Sequence, residues 1–368
     1  MPPITLNGDT GITTPMYNGS ITANAVTPSV NMKNRIINGA MTLNQRGFSG
    51  ANTNNTYTLD RWVMQTGLDN KFTVAQSSTA PTGFSNSLLV TSSTAYSVPS
   101  GEYYTIVQKI EGFNTSDLAF GTASAKTITL SFQVYSSLTG TFGGSLANSA
   151  NNRSYPFTYT ISTANTWTTA SVTIAGDTSG TWIGATNGIG LNVIFGLGVG
   201  TTYSGTAGAW AGADYRSATG AVSVVGTNGA TFYITGVQFE VGSTATSFDY
   251  RPYGTELALC QRYYARFSTL SGNYAGFGSG VVEASTGATI IVKYPQTMRA
   301  TPTLAQSTTG LYDGASVQTV TSLGTAYYGN NALNANIVAS GGGLTQGRGC
   351  VWIAGNSTAG YIDLSSEL

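Results

Sequence analysis

Ile128, Leu130, Phe132 and Val134 fall in one phase of the chain, and Thr127, Thr129, Ser131 and Gln133 fall in the other. A period of two puts every second side chain on the same face of an extended strand, so this segment has a dry face and a wet face. The pattern returns in Phe157, Tyr159 and Ile161 against Thr158 and Thr160, in Val172 and Ile174 around Thr173, and in Leu191, Val193, Phe195 and Leu197. Phe232 and Ile234 share one phase while Val237 and Phe239 share the other, and Gly236 sits where a bulge would reset the register. Short one-faced strands separated by Gly, Asn and Ser turns predict an all-β, jelly-roll-like sandwich over residues 36–253.

Composition fits that reading. Of 368 residues, 47 are glycine and 41% are hydrophobic, while only 8% are charged; average soluble domains carry roughly 25% charged residues. The length exceeds what one domain usually needs. With 15 basic and 15 acidic residues the formal charge is zero, so no basic stripe is expected to neutralise phosphates, which argues against a nucleic-acid partner. No run of about 18 apolar residues is present, so no membrane insertion is expected. Cys260 and Cys350 are too few for a disulfide framework, and Cys260 reads as a buried thiol. The start, Met1-Pro2-Pro3-Ile4, lacks the basic and apolar regions of a secretory leader. A chain made in the cytoplasm yet composed like an external β protein suits a virion component.

The chain divides into four parts. Residues 1–35 are polar and turn-rich, too poor in apolar side chains to offset their own ordering entropy, and read as an attachment arm. Residues 36–253 are the sandwich. Over residues 254–267, Leu257, Cys260, Tyr264 and Phe267 step by helical spacing, with Thr255 as N-cap; this predicts a short linker helix. Residues 268–368 carry strand signals at Ala288–Tyr294, Asn336–Val338 and Gly349–Ile353, and read as a second, smaller β-sandwich forming the C-terminal tip.

Several stretches carry a resemblance: Asn34-Arg35-Ile36-Ile37-Asn38-Gly39-Ala40-Met41, then Tyr57-Thr58-Leu59-Asp60-Arg61-Trp62, Gln108-Lys109-Ile110-Glu111-Gly112, Phe232 to Gly242, and Tyr250-Arg251-Pro252-Tyr253-Gly254-Thr255-Glu256-Leu257. In this order they resemble bacteriophage tail-fibre and minor structural proteins, which pair a carbohydrate-binding-module-like sandwich with a variable tip. Beyond residue 264 the resemblance is loose, through Arg299-Ala300-Thr301-Pro302-Thr303 and Ser366-Glu367-Leu368. It implies a virion fibre subunit, commonly a homotrimer, with its N-terminal arm toward other virion proteins and its C-terminal end toward the host. A host cell-surface glycan is expected as partner from the neutral, hydroxyl- and amide-rich composition rather than from the resemblance. The alternative is a purely structural capsid fibre, decoration or baseplate protein. Sandwiches of this type often hold a structural calcium ion, to which Glu240 or Asp60 could contribute, although no spaced acidic loop compels it.

No histidine occurs anywhere, which removes His-based triads, general acid/base work and His–metal sites. The carboxylates are scattered singly, so a glycan depolymerase is the weakest of the functional readings, and no catalytic residue is assigned. Sugar recognition needs aromatic platforms beside neutral hydrogen-bonding groups. The richest loop for it is residues 200–220, with Tyr203, Trp210, Asp214, Tyr215 and Arg216. Trp210 reads more readily as a plug packing that loop on the sandwich, or as a subunit contact, than as a sugar platform. In the tip, Tyr327, Tyr328, Asn330 and Asn331 lie in a polar loop suited to exposed recognition.

Overall fold

The computed structural model describes residues 32–269, 272–329, 331–339 and 341–368; the arm over residues 1–31 lies outside them. Twelve strands form two six-stranded sheets. In spatial order the first holds Ser49–Ala51, Phe72–Ser77, Ser87–Ser92, Thr231–Val241, Ile128–Ser136 and Thr168–Ile174. The second holds Thr56–Tyr57, Trp62–Thr66, Tyr103–Glu111, Ile189–Val199, Gly140–Ala147 and Ser154–Ile161. All pairings within both sheets are antiparallel, and the chain crosses repeatedly from one sheet to the other. This is the jelly-roll-like sandwich that the alternation predicts.

The dry phases of both sheets meet in one core. Ile128, Leu130, Phe132 and Val134 are buried in it with Trp62, Phe157, Phe195 and Phe232. The Phe132 ring lies 4.9 Å from Tyr159 and 5.0 Å from Phe195, both edge-on, a geometry that aromatic quadrupoles favour. The register against Ile128–Ser136 shifts between Thr235 and Gln238, at Gly236, whose φ is +60°. A Cβ there would come within 2.7 Å of the Phe84 ring, so both conformation and space demand glycine.

Residues 32–35, assigned to the arm on composition, belong to the sandwich: Arg35 N–H donates to the Phe239 carbonyl, and the Asn34 side chain bonds to Phe239 N–H and the Val237 carbonyl. The helix is shorter than its apolar spacing suggests. It spans Tyr253–Gln261, is preceded by Pro252 rather than capped by Thr255, and buries Cys260. Tyr264 and Phe267 lie instead in the strand Tyr264–Ser268, which pairs with Tyr361–Ser365. Tyr-Tyr-Ala-Arg-Phe has strand propensity as well as helical spacing, and pairing with a distant segment decides between them.

The smaller C-terminal unit is also all β, but six of its strands close into a barrel rather than forming an open-edged sandwich. Gly349–Ala354 closes the circle by pairing with both Gly276–Ala284 and Thr309–Tyr312. Closure removes the exposed edges a small sandwich would leave. Ile290, Val292, Leu311, Ile337 and Trp352 fill the interior. A three-stranded sheet of Tyr264–Ser268, Tyr361–Ser365 and Thr303–Ser307 stands beside it.

Much of the protein's charge gathers where sandwich, helix and barrel meet. Arg61, 1% exposed, pairs with Glu367, donates to the Lys109 carbonyl at 2.7 Å and lies 3.6 Å over the Tyr263 ring. Arg46 reaches Glu367 at 3.1 Å. Glu111, equally buried, accepts from Arg262 at 2.6 and 2.9 Å and from the Tyr263 hydroxyl at 2.5 Å. Arg299 donates to the carbonyls of Ser366 and Glu367 at 2.7 and 2.8 Å. Removing one partner of a buried pair strands the other's charge, at a cost of roughly 3–5 kcal/mol, while replacing both by apolar groups is often close to neutral. Glu367→Ala is therefore expected to lower the unfolding free energy by about that amount in urea titrations, and Arg61→Met with Glu367→Leu to recover most of it. A loss below about 1 kcal/mol in the single variant would show that the pair contributes little.

Candidate functional site

Loop 200–220 folds onto the outer face of the second sheet. Ser204–Gly205 and Ser217–Ala218 pair as short parallel strands that clasp its base. Between them, Arg216 is almost fully buried: it pairs with Asp214 at 3.0 Å, donates to Gln65 at 2.7 Å, and lies 4.0 Å over the Tyr103 ring. Tyr203 meets Tyr103 edge-on at 4.9 Å. Tyr215 fills the space over Gly205, where a Cβ would come within 2.2 Å of its ring. The structure thus gathers Tyr203, Asp214, Tyr215 and Arg216, with Gln65 and Tyr103 as partners the sequence reading had not included. The Arg216 guanidinium is spent on Asp214 Oδ2 and Gln65, while Asp214 Oδ1 is buried without a partner among the described residues.

Trp210 leaves that group. Its indole N–H donates to the Ala175 carbonyl at 2.7 Å, and its ring packs on Tyr155, Trp182 and Phe120 at 5.3–5.8 Å. With its single donor used and its half-buried ring held by three aromatic neighbours, it acts as a plug. In the barrel, Tyr327 is 72% exposed and Tyr328 is also exposed, both on the strand Val317–Tyr328. Asn331 is exposed nearby, its side chain accepting from Thr297 at 3.2 Å. Asn330 lies outside the described residues.

A third surface was missed. On the outer face of the first sheet, Tyr135 stands directly opposite Tyr233, and Tyr233 opposite Leu89. The tyrosine rings meet edge-on at 5.0 Å, and Trp167 packs against them at 5.5 and 6.3 Å. All four side chains are half-buried, so part of each remains open to water. Gln133, hydrogen-bonded to Thr169 at 3.0 Å, and Ser131 and Ser171 share this face without a formal charge. The signal was present in the strand phases: Tyr135 continues the polar phase of Thr129, Ser131 and Gln133, and Tyr233 opposes the phase of Phe232 and Ile234. A large aromatic ring on the wet side of a strand is unexplained by the core.

The carboxylates considered for calcium are engaged with protein donors. Glu240 accepts from Thr246 at 2.6 and 2.9 Å and from Gln238 at 2.8 Å. Asp60 accepts from Gln45 N–H at 3.2 Å and Arg46 at 3.4 Å. No group of three or more His, Cys, Asp or Glu side chains converges as a metal site among the described residues.

No family model matches the sequence, and no curated protein matches it. Part of the chain is similar in shape to solved structures. The enzymatically active domain of bacteriophage CBA120 tailspike protein 4 shares 14% identity over 57% of this chain, with a TM-score of 0.32; the chain spans 22% of that domain. A family 11 carbohydrate-binding module from Clostridium thermocellum, in complex with a β-1,3-1,4-mixed-linked tetrasaccharide, shares 12% identity over 54% of this chain and 98% of its own, with a TM-score of 0.28. A xylan-binding domain from Paenibacillus barcinonensis shares 10% over 54% and 95%, with a TM-score of 0.27. The ligands named belong to those proteins.

Asp60 makes the region it braces sensitive to pH. Burial pushes its carboxyl up to about 6, against the pull of Arg46 and the Gln45 N–H. A folded pKa above the unfolded one means that the native state binds more protons across roughly pH 4–6, so this group's contribution is full below that window and lost as pH rises through it. Two units correspond to at most about 2–3 kcal/mol. Asp60→Asn is expected to flatten that part of the stability profile, so that wild type loses ground to the variant between about pH 4.5 and 7 in thermal melts. Parallel profiles would remove Asp60 as the titrating group.

Proposed function

We propose that this protein is a non-enzymatic subunit of a virion fibre that binds host-surface glycan as a homo-oligomer, most simply a trimer. The observation that carries the reading is the part of the first sheet's outer face where Trp167, Tyr135 and Tyr233 stand half-open to water among amide and hydroxyl side chains. Sugar rings present apolar C–H faces and a rim of neutral hydroxyls. Such a face offers rings for the first and Gln133, Ser131 and Thr169 for the second, without charges that would have to be desolvated. Residues 34–264 carry the sequence resemblance that supports a place in a phage tail, with synthesis in the host cytoplasm and the N-terminal arm attached to other virion proteins.

A single shallow sugar site is often only about millimolar, near −4 kcal/mol. Joining several copies raises avidity by roughly 10²–10⁴ without new contacts. The barrel offers a surface for that joining: Val317, Tyr312, Val351, Ser279 and Ile291 are in register across adjacent strands, and Val317, Tyr312 and Ile291 are exposed. A row of exposed apolar side chains of this kind suits a second copy of the same chain.

Two measurements test the proposal. Tyr135→Ala and Trp167→Ala are expected to weaken binding to host polysaccharide at least about tenfold while the melting temperature stays close to wild type. Well-folded oligomers that bind neither host cells nor their glycans would favour a purely structural virion role, and new reducing ends released from the polysaccharide would favour a depolymerase. Light scattering should give a trimer mass, and Tyr312→Glu with Ile291→Glu should shift it toward monomer. A monomeric wild type at micromolar concentration would end the oligomer reading.

A further inference from the structure

A cavity of about 260 Å³ opens at the start of the helix, between the bulged end of the first sheet and the segment leading out of the sandwich. One wall is aromatic. Phe84, Phe248 and Tyr250 pack on one another at 4.8–5.5 Å, and the Tyr250 hydroxyl is fixed by donating to the Gly83 carbonyl at 2.7 Å. Tyr250 is nonetheless 52% exposed, and Tyr253, on the rim, 64%. The other wall is polar. Asp249 lines the cavity and is only 5% exposed. Its Oδ2 accepts from Asn34 N–H at 3.2 Å, while Oδ1 has no partner among the described residues. Arg251 lines it too. Its terminal nitrogens donate to Glu256 at 3.1 and 3.3 Å and to the carbonyls of Ile36 and Asn34, but its Nε has no partner among the described residues.

A buried carboxylate oxygen and a buried guanidinium N–H left without partners are costly, and in native proteins such groups usually meet water or a ligand. Here an orphan acceptor and an orphan donor belong to two residues that line the same small cavity, beside exposed aromatic rings. Charge narrows the occupant. Asp249 and Glu256 against Arg251 leave a net negative wall, which disfavours phosphate or an acidic sugar. A divalent cation would find only Asp249, because Glu256 is committed to Arg251. A neutral polyhydroxyl ring meets both needs: one hydroxyl donates to Asp249, a second oxygen accepts from Arg251, and the C–H face lies on the tyrosines. The volume falls slightly below the roughly 300–1,000 Å³ of sites for drug-sized ligands, which suits one sugar ring better than a chain. Neither orphan atom is open to solvent, so contact requires movement of the side chains over them.

We infer that this cavity is a second binding site, for a single neutral sugar residue, separate from the Trp167–Tyr135–Tyr233 face. The inference shares the glycan chemistry of the proposed function but none of its residues.

The test uses the full chain and four probes: the methyl glycosides of mannose, glucose, galactose and N-acetylglucosamine, titrated by ligand-observed saturation-transfer NMR. At least one is expected to bind in the millimolar range. Tyr253→Ala and Asp249→Asn should each weaken it about tenfold or more with the melting temperature held, while Trp167→Ala leaves it unchanged. If none of the four binds, or if binding is indifferent to both cavity variants, the inference fails. A crystal soaked with the probe that shows only water on Asp249 Oδ1 and Arg251 Nε also overturns it. Loss of polysaccharide binding in Trp167→Ala with intact methyl-glycoside binding separates the two sites, so either can fail alone.

Discussion

The buried pairing of Arg61 with Glu367, backed by Glu111 with Arg262 and the Tyr263 hydroxyl, is the contact on which the arrangement of the two β bodies depends. Arg61 and Glu111 come from the sandwich, Arg262 and Tyr263 from the end of the helix, and Glu367 from beyond the last strand of the tip. Arg61 takes a left-handed backbone conformation, φ +71°, which a non-glycine residue holds only where its surroundings fix it. A guanidinium stacked on one ring, paired with one carboxylate and bonded to one carbonyl has little freedom left. The apolar contacts at the same place are few: Ile37, Leu43, Cys260 and Tyr263, with Leu257, Leu259 and Leu368 around them. Geometry rather than buried area therefore sets the relative position of sandwich and tip.

That concentration of charge leaves other surfaces neutral. With only 8% charged residues, a chain that spends Arg46, Arg61, Lys109, Arg262, Arg266 and Arg299 on one junction leaves few to decorate its sheet faces. The outer face of the first sheet around Tyr135 and Tyr233 is accordingly built mostly from Thr, Ser, Gln and aromatic side chains, with Glu240 farther along the strand, paired to Lys33. The same neutrality accounts for exposed valines and an isoleucine on the barrel, where an ordinary soluble domain would carry lysine and glutamate.

The alternation of Ile128 through Gln133 announced a one-faced strand, and Gly236 announced a bulge, because both follow from local backbone geometry. Cys260 was legible as buried for the same reason. The end of the helix at Gln261 was not: Tyr264 and Phe267 satisfy helical spacing and strand propensity alike, and only the pairing with Tyr361–Ser365, about a hundred residues away, decides. Barrel closure depends on Gly349–Ala354 meeting strands that begin at Gly276 and Thr309, which no local pattern encodes. In the candidate loop, composition located Tyr203, Asp214, Tyr215 and Arg216 together. It could not say that the Arg216 guanidinium would be used on Asp214 and Gln65, nor that Trp210 would turn toward Ala175.

The three aromatic groups differ in what remains available to a ligand, and this ranks them better than their composition does. Around Arg216 the guanidinium and the tyrosine rings face each other, so a sugar would have to displace contacts already made. Trp210 has spent its one donor on the Ala175 carbonyl and is held by three aromatic neighbours. Tyr135, Tyr233 and Trp167 also touch, edge-on or tilted, and each stays half-buried with no hydrogen bond to its polar atom among the described residues. Their neighbours are side chains whose hydrogen bonds exchange readily with water, so replacing water by hydroxyls costs little. Availability rather than aromatic content therefore favours the first sheet over loop 200–220 for the proposed recognition, on the side of the strands that the core does not use.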